Sequence, residues 1–480
     1  MSEPETIKVG SPLQGHLARV VELLRRQRVV EELAHRQAGA STELVDNLVH
    51  RQNQVELQRE IDLLHPADIA LVLEALPTDE RLEVWNLVKA DRDGETLLEV
   101  SDAVRESLLA DMDLPEILAA AEQLDADEVA DLAEDLPDDV LHELMQRMDV
   151  PEREQLRSAM SYDDDQVGSL MDFEMVSIRE DVSLEVVLRY LRRFDELPEH
   201  TDKIFVVNDD NRLTGVLPIK WLLVNDPSRM VGELMAADAN TFRPEDDVNE
   251  TAQAFERYDI VTAPVVDSEG RLIGRVTIDA MVDVIREESE AEARGRVGLR
   301  EEEDIFASVW SSVRNRWAWL AVNLVTAFIA SRVIDLFHGS IERLVALAAL
   351  MPIVAGMGGN SGNQTITMLV RAMALDQVGL DSRKRLLRKE LIVSICNGLI
   401  WGSVIGIVAW LLYSNAALGA VMMAAMTLNL LLAALMGVLI PMTLVKLGRD
   451  PAMGASVMIT AITDSGGFFI FLGLATIFLL

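Results

Sequence analysis

The sequence predicts a multi-domain protein with an α-helical, superhelical N-terminal domain, a duplicated α/β module and an all-α transmembrane domain of five helices. Three observations lead there. Charge and apolar residues are segregated: the 480-residue chain has a formal net charge of −36, yet 50% of it is hydrophobic and its mean hydropathy is +0.18. Residues 311–480 hold 12 Lys and Arg against 7 Asp and Glu, whereas the preceding 310 hold 31 against 72. Apolar segments recur at about 317–337, 343–375, 391–413, 417–445 and 452–480, each able to cross a bilayer, which takes about 20 residues. The acidic part contains internal repeats, as stacked or duplicated modules do. The expected divisions are an acidic helical domain over 1–160, two α/β copies over 161–230 and 231–288, a connector (plug) helix over 289–316 and a membrane domain over 317–480.

From about 13 to 149 apolar residues recur three and four apart, as at Val20, Leu23 and Leu24, which is the helical period. A weak repeat lays His65 through Pro77 over Asp125 through Pro137, an offset of 60. Each copy opens on an N-cap type of residue and stops before Pro, as short stacked helices do. Asp127 and Asp131 are four apart and share a helix face. The plain reading is a pair of solvated helix-start acids, favoured there by the helix dipole. A metal site needs a second acidic surface facing them.

A clearer repeat runs over 168–288. Gly168 through Met171 matches Gly232 through Met235, and Val206 through Val216 matches the run from Val265. Each copy reads strand, helix, strand, acidic turn, strand, helix, with hairpin signals at the turns. This resembles the tandem cystathionine-β-synthase (CBS) domain pair, a sensory module that often binds nucleotides, so a nucleotide at the pair is one implied partner. The ribose-binding pattern is incomplete, because the residue three past Thr277 is Ala280. Asp247, Asp259, Asp279 and Asp283 make the second copy acidic.

Residues 285–316 show no strand pattern. Two acidic runs precede Ile305, Phe306, Val309, Trp310 and Val313, an apolar stripe at helical spacing. The expectation is a helical connector whose amphipathic end lies on the lipid surface. Arg383, Lys384, Arg385, Arg388 and Lys389 load the loop between the second and third spans, and Lys446 and Arg449 that between the fourth and fifth. The positive-inside rule then places the N-terminus and both loops in the cytoplasm and the C-terminus outside.

Asp464 is the single ionisable side chain of the last span. A carboxylate at bilayer depth costs about 2.5–3.5 kcal/mol on insertion scales, so it faces a partner or a water-filled path. In the second segment, Pro352 and four glycines fall within eleven positions, weakening a lone helix. They give either a close-packed interface or space at a pore for the oxygens of Asn360, Asn363 and Gln364.

Pro352 through Gln364, Asp450-Pro-Ala, Thr463-Asp464 with the glycine-aromatic run after it, and Tyr162 through Met171 together resemble the MgtE family of magnesium channels. The resemblance covers almost the whole chain. It implies a homodimer in the cell (inner) membrane whose ten spans enclose a pore on the two-fold axis. It makes Asp464 the ion-binding pore residue and places Asp450 near the cytoplasmic mouth. Mg2+ is then both substrate and regulator. At high cytosolic magnesium, ions bridge acids of the helical domain, the CBS pair and the connector, and the motif match selects Asp127, Asp131, Asp247, Asp259, Asp283 and Glu288. Where the family often has paired Asp, this chain has Asp279 followed by Ala280.

Other function classes fare worse. The acidic surface argues against nucleic acid. Cys396 is the sole cysteine, which excludes an internal disulfide, and the histidines lack zinc spacing. No nucleophile–base constellation points to an enzyme. The opening MSEPETIKVGSPLQ lacks a signal-peptide pattern, so the acidic part is expected in the cytoplasm. The alternatives are a carrier of another divalent cation, such as Mn2+ or Co2+, and a membrane-anchored CBS nucleotide sensor.

Overall fold

A computed structural model describes residues 13–36, 52–299, 303–374, 380–448 and 454–480. The chain divides into two compact units, one holding residues up to Glu288 together with Asp304–Ala307, the other Ser289–Glu303 and Ser308–Leu480.

The first unit opens with helices α1 (Leu13–Arg36), a helical stretch over 52–61, α2 (Pro66–Glu74), α3 (Thr78–Trp85), α4 (Asp93–Glu99), α5 (Asp102–Leu109), α6 (Leu114–Ala121), α7 (Ala126–Leu132), α8 (Asp138–Arg147) and α9 (Val150–Ala159). From Asp102 onward successive helices begin twelve residues apart, and the offset of 60 separates the starts of α2 (Pro66) and α7 (Ala126), five helices on. Caps mark the period: Asp113, Asp125 and Asp149 each form a capping box with the Glu three residues on. One apolar face per helix, among them Leu73, Leu97, Leu108, Val129 and Leu144, builds a continuous core.

Two buried arginines repeat at a spacing of 24. Arg81 donates to the carbonyls of Leu73 (2.9 Å) and Leu76 (3.1 Å), and Arg105 to those of Leu97 (2.9 Å) and Val100 (3.2 Å). Each thereby satisfies carbonyls at the end of a preceding helix that have no partner within it. Arg105 pairs with Asp135 at 2.9 Å, but Arg81 pairs with Asp304 at 2.8 Å, from the segment just ahead of the first long membrane-type helix.

The two α/β copies follow. The first has β1 (Ser177–Arg179), α10 (Leu184–Leu191), β2 (Lys203–Val207), β3 (Leu213–Pro218) and α11 (Ile219–Val224). After the short α12 (Val231–Leu234), the second has α13 (Val248–Tyr258), β4 (Thr262–Val266), β5 (Leu272–Thr277) and α14 (Ile278–Val297). β1 is parallel to β2, and the pairs β2–β3 and β4–β5 are antiparallel hairpins. The turns meet across the copies: Leu213 N–H donates to Gly270 O, and Leu272 N–H to Asn211 O. Asn211 (φ 60°) and Gly270 (φ 78°) hold equivalent left-handed positions, which Gly and Asn tolerate best. The leading strand expected in the second copy shrinks to one bridge between Phe242 and Val265, because Pro244 soon follows and offers no N–H.

In the second unit the expected continuous connector helix is broken. α14 ends at Val297, Gly298 takes φ +79°, and α15 (Val309–Asp335) starts afresh with the Ser308 hydroxyl accepting from Ser311 N–H. A glycine in the left-handed region is a common helix stop. Ile305 and Phe306 therefore lie in a non-helical turn, while Val309, Trp310 and Val313 open the next helix.

Then come α16 (His338–Arg343), α17 (Ala346–Ala374), α18 (Leu380–Tyr413), α19 (Ala416–Lys446) and α20 (Ala455–Leu479). Among the described residues four helices are long and apolar enough to cross a membrane: Val309–Asp335, Lys384–Tyr413, Ala416–Lys446 and Ala455–Leu479. α17 has the length, 29 residues, but its middle is glycine, asparagine and glutamine. It stays helical throughout, and two of its glycines are tight packing sites. A Cβ on Gly358 would come within 2.3 Å of Asn429, and one on Gly362 within 2.3 Å of Ile459. α18 and α19 pack as closely along Gly398, Gly402 and Gly406, a small-residue ladder typical of membrane helices.

Candidate functional site

In the second unit two apolar clusters bracket a polar belt. One contains Leu350, Val354, Met422 and Phe471, the other Ile366, Ile440 and Ile459. Between them Asn429 is fully buried, donates its amide to Val354 O at 2.8 Å, and has an Oδ1 without a partner among the described residues. Glycines at 358 and 467 make room for it from two helices.

Asp464 lies near the middle of α20 and is half-buried. Among the described residues nothing hydrogen-bonds or ion-pairs with its carboxylate. Its neighbour Thr463 is fully buried, bonds back to Ile459 O at 2.8 Å, and lies against Gly359 of α17. The residues next in sequence to that contact are Asp464 and Asn360. Asn360 and Gln364 are exposed and Asn363 is half-buried, so the three occupy an open side of α17. Asp450 lies outside the described residues.

In the first unit the acids of α7 meet others. Burial pushes Asp127 up to about 7, with Asp172, Glu128 and Asp125 adding like charge. Asp131 remains accessible, yet the surrounding chain displaces enough water to raise its pKa, with Asp102 and Asp283 reinforcing the shift and Arg105 opposing it. Glu287 and Glu99 are raised in the same way, first by desolvation and then by Asp131 and Asp283 respectively. The acidic surface that Asp131 required is thus the start of α14. Sequence reasoning selected Asp283 and missed Asp102, Glu99, Asp172 and Glu287, which come from other elements and carry no local signature.

The remaining candidates are dispersed. Asp247 is the N-cap of α13, accepting from Glu250 N–H at 2.9 Å, and Asp259 is its left-handed C-cap. An eleven-residue helix separates them by about 16 Å, so one ion cannot touch both. Asp279 is 3.4 Å from His200 Nε2, Asp283 is 3.4 Å from Arg286, and Glu288 is exposed on α14. Among the described residues no three acidic or imidazole side chains converge closely enough to hold a metal ion.

Comparison with known proteins fits this division. Residues 351–474 match the family described as divalent cation transporter, MgtE; 64–165 match the MgtE intracellular N domain; 167–220 and 231–287 match the CBS domain. The magnesium transporter MgtE of Thermus thermophilus is 30% identical over 430 residues, covering 88% of this chain and 95% of that one. The Bacillus subtilis magnesium transporter MgtE is 27% identical over 419 residues, covering 87% and 93%. A crystal structure of the cytosolic domain of the Mg2+ channel MgtE in complex with ATP is 30% identical, with a TM-score of 0.44 over 51% of this chain and 97% of that one. The acidic helical domain, the CBS pair and the polar-belted helices are therefore parts of one known design, and the chain belongs to the MgtE family of magnesium transporters.

Proposed function

We propose that this chain forms a homodimeric, Mg2+-selective channel for magnesium uptake across the cell membrane, closed by cytosolic Mg2+. The observation that carries the reading is the Asp464 carboxylate, half-buried at mid-span and without a partner among the described residues. A charge so placed cannot face lipid without cost, and the open Asn360 and Gln364 side chains share that problem. A second copy related by a two-fold axis solves both, since it doubles Asp464 around a water-filled path. Mg2+ gives up its water reluctantly and is bound through one or two carboxylates with most of its hydration shell kept. Two facing carboxylates attract such an ion and repel anions. Asn360, Asn363 and Gln364 accept or donate hydrogen bonds to its water. The basic loops support an N-terminus inside and a C-terminus outside. α17 is the fifth span.

Closure follows from the acids of the first unit. Ionised, Asp127, Asp131, Asp283 and the carboxylates around them repel one another; divalent cations that bind the compact arrangement better than the open one shift the population toward it. Asp279, Asp247, Asp259 and Glu288 enlarge the negative field rather than completing one site.

Uptake of Mg2+ into proteoliposomes, with Mn2+ and Co2+ as competitors, tests the reading. Asp464→Asn and Asp464→Ala are expected to insert normally and to lose flux. Normal flux through either removes Asp464 from the path, and equal flux of Mn2+ or Co2+ makes the protein a broader divalent carrier. Protease protection of residues 285–308 that rises with Mg2+ supports cation-driven closure; protection independent of Mg2+ refutes it.

A further inference from the structure

A second carboxylate is buried within the membrane-type helices, and the ion path described above leaves it without a role. Glu390, on α18, is 5% exposed. Its Oε2 accepts a hydrogen bond from Thr365 Oγ1 of α17 at 3.3 Å, and the same hydroxyl lies 3.2 Å from Ser361 O one turn back. Thr365 is itself buried and directly follows Gln364. Gly437 of α19 closes on it from another side, where an added Cβ would come within 3.0 Å of Thr365. A cavity of about 250 Å³ adjoins the pair, lined also by Arg371, Lys389 and the apolar Met368 and Leu386. The Lys389 ammonium is 4.0 Å from Oε1.

Helix register explains why this contact matters. One residue is 100° of rotation on a helix of 3.6 residues per turn. Thr365 is therefore on the packed side of α17 while Gln364 and Asn360 are on the open side. Apolar contacts and glycine gaps tolerate a slip or roll of α17; a directional bond from a buried carboxylate tolerates it poorly, because breaking it leaves a charge without its partner. A carboxylate buried at the loop end of a span costs enough that a mere filler would be apolar.

We infer that Glu390 is a positioning residue for transport: through Thr365 it fixes the rotation of α17 and so aims Asn360, Asn363 and Gln364 at the passing hydrated cation. The inference rests on the ion-path reading given above.

The test uses the full chain in proteoliposomes, with insertion checked by gel filtration. Glu390→Ala and Thr365→Val are each expected to raise the Mg2+ concentration for half-maximal uptake about fivefold, the effect of losing one hydrogen bond. The double variant goes no further than either single one, since both remove one interaction. Thr365→Ser, which keeps the hydroxyl, and Glu390→Gln, which keeps an acceptor, recover most of the affinity. Additive effects, or a Glu390→Gln as weak as Glu390→Ala, overturn the inference, because the charge would then act by itself. Asp464→Asn is measured alongside. If it is inactive while Glu390→Ala matches wild type, positioning fails and the ion path stands; if it transports normally, the ion path fails.

Discussion

The two units both hold carboxylates in water-poor surroundings, and they do so in opposite ways. In the first unit burial raises the pKa of Asp127, Asp131, Asp172, Asp283, Glu99 and Glu287, nearby acids such as Asp125, Asp279 and Asp102 add to the shifts, and Arg105, Arg275 and Arg286 offset only part of them. In the second unit Asp464 has no charged or hydrogen-bonding partner among the described residues, and the other buried carboxylate, Glu390, sits on a different helix. A crowd of like charges stores repulsion that a cation releases, so it can report a concentration. A carboxylate at mid-span without a like-charged neighbour stores little repulsion, so under the proposed pairing of two copies it could bind a passing ion without changing the fold. On the reading proposed above, the same residue type would serve as a sensor in one place and as a filter in the other.

The sharpest break of this comparison is Asp464→Asn. Neutralising this acid is expected to lower flux at least about tenfold, measured as initial uptake, because the proposed path then loses the mid-span charge that attracts the cation. Flux within twofold of wild type would make the solitary acid structural.

Next comes Asp304→Ala. Arg81 is 0% exposed, and removing its partner leaves a buried guanidinium whose remaining partners are carbonyls and Ser107. The expected loss is about 3–5 kcal/mol for the first unit, read from denaturant unfolding of the full chain followed by protease susceptibility of residues 52–160. A loss below about 1 kcal/mol would show that the pair is solvated in practice.

The crowd makes a prediction about pH. Asp127 is raised from 3.8 to about 7, so the compact arrangement binds its proton more tightly than the open chain does. That contribution is full below about pH 4 and is lost as pH rises through about 7. Without Mg2+, protease protection of the first unit should fall between pH 5 and 8. Asp127→Asn should flatten the fall and lower the Mg2+ needed for protection at pH 8 several-fold. An unchanged pH profile in that variant would remove Asp127 from the sensing crowd.

The smallest effect is expected for Asp247→Ala. As a helix N-cap it contributes about 1 kcal/mol to stability, and the Mg2+ dependence of protection should not move. A shifted Mg2+ midpoint would return Asp247 to the regulatory acids.

The sequence by itself determined the order of parts. Local periodicity and charge suffice for that: helical spacing at Val20, Leu23 and Leu24, the paired turns at Asn211 and Gly270, and apolar runs longer than a bilayer. It also singled out Asp464, because the single ionisable side chain in a thirty-residue, mostly apolar stretch is visible without neighbours. Its errors were local contests that distance decides. Gly298 stopped a connector read as continuous, and Pro244 cost the second copy its leading strand. What only the tertiary structure decided is which distant groups meet. Asp131 faces Asp283 across 152 positions, Arg81 finds Asp304 across 223, and Glu390 holds Thr365 across 25. Such pairings depend on burial and on helix rotation, and a linear chain records neither.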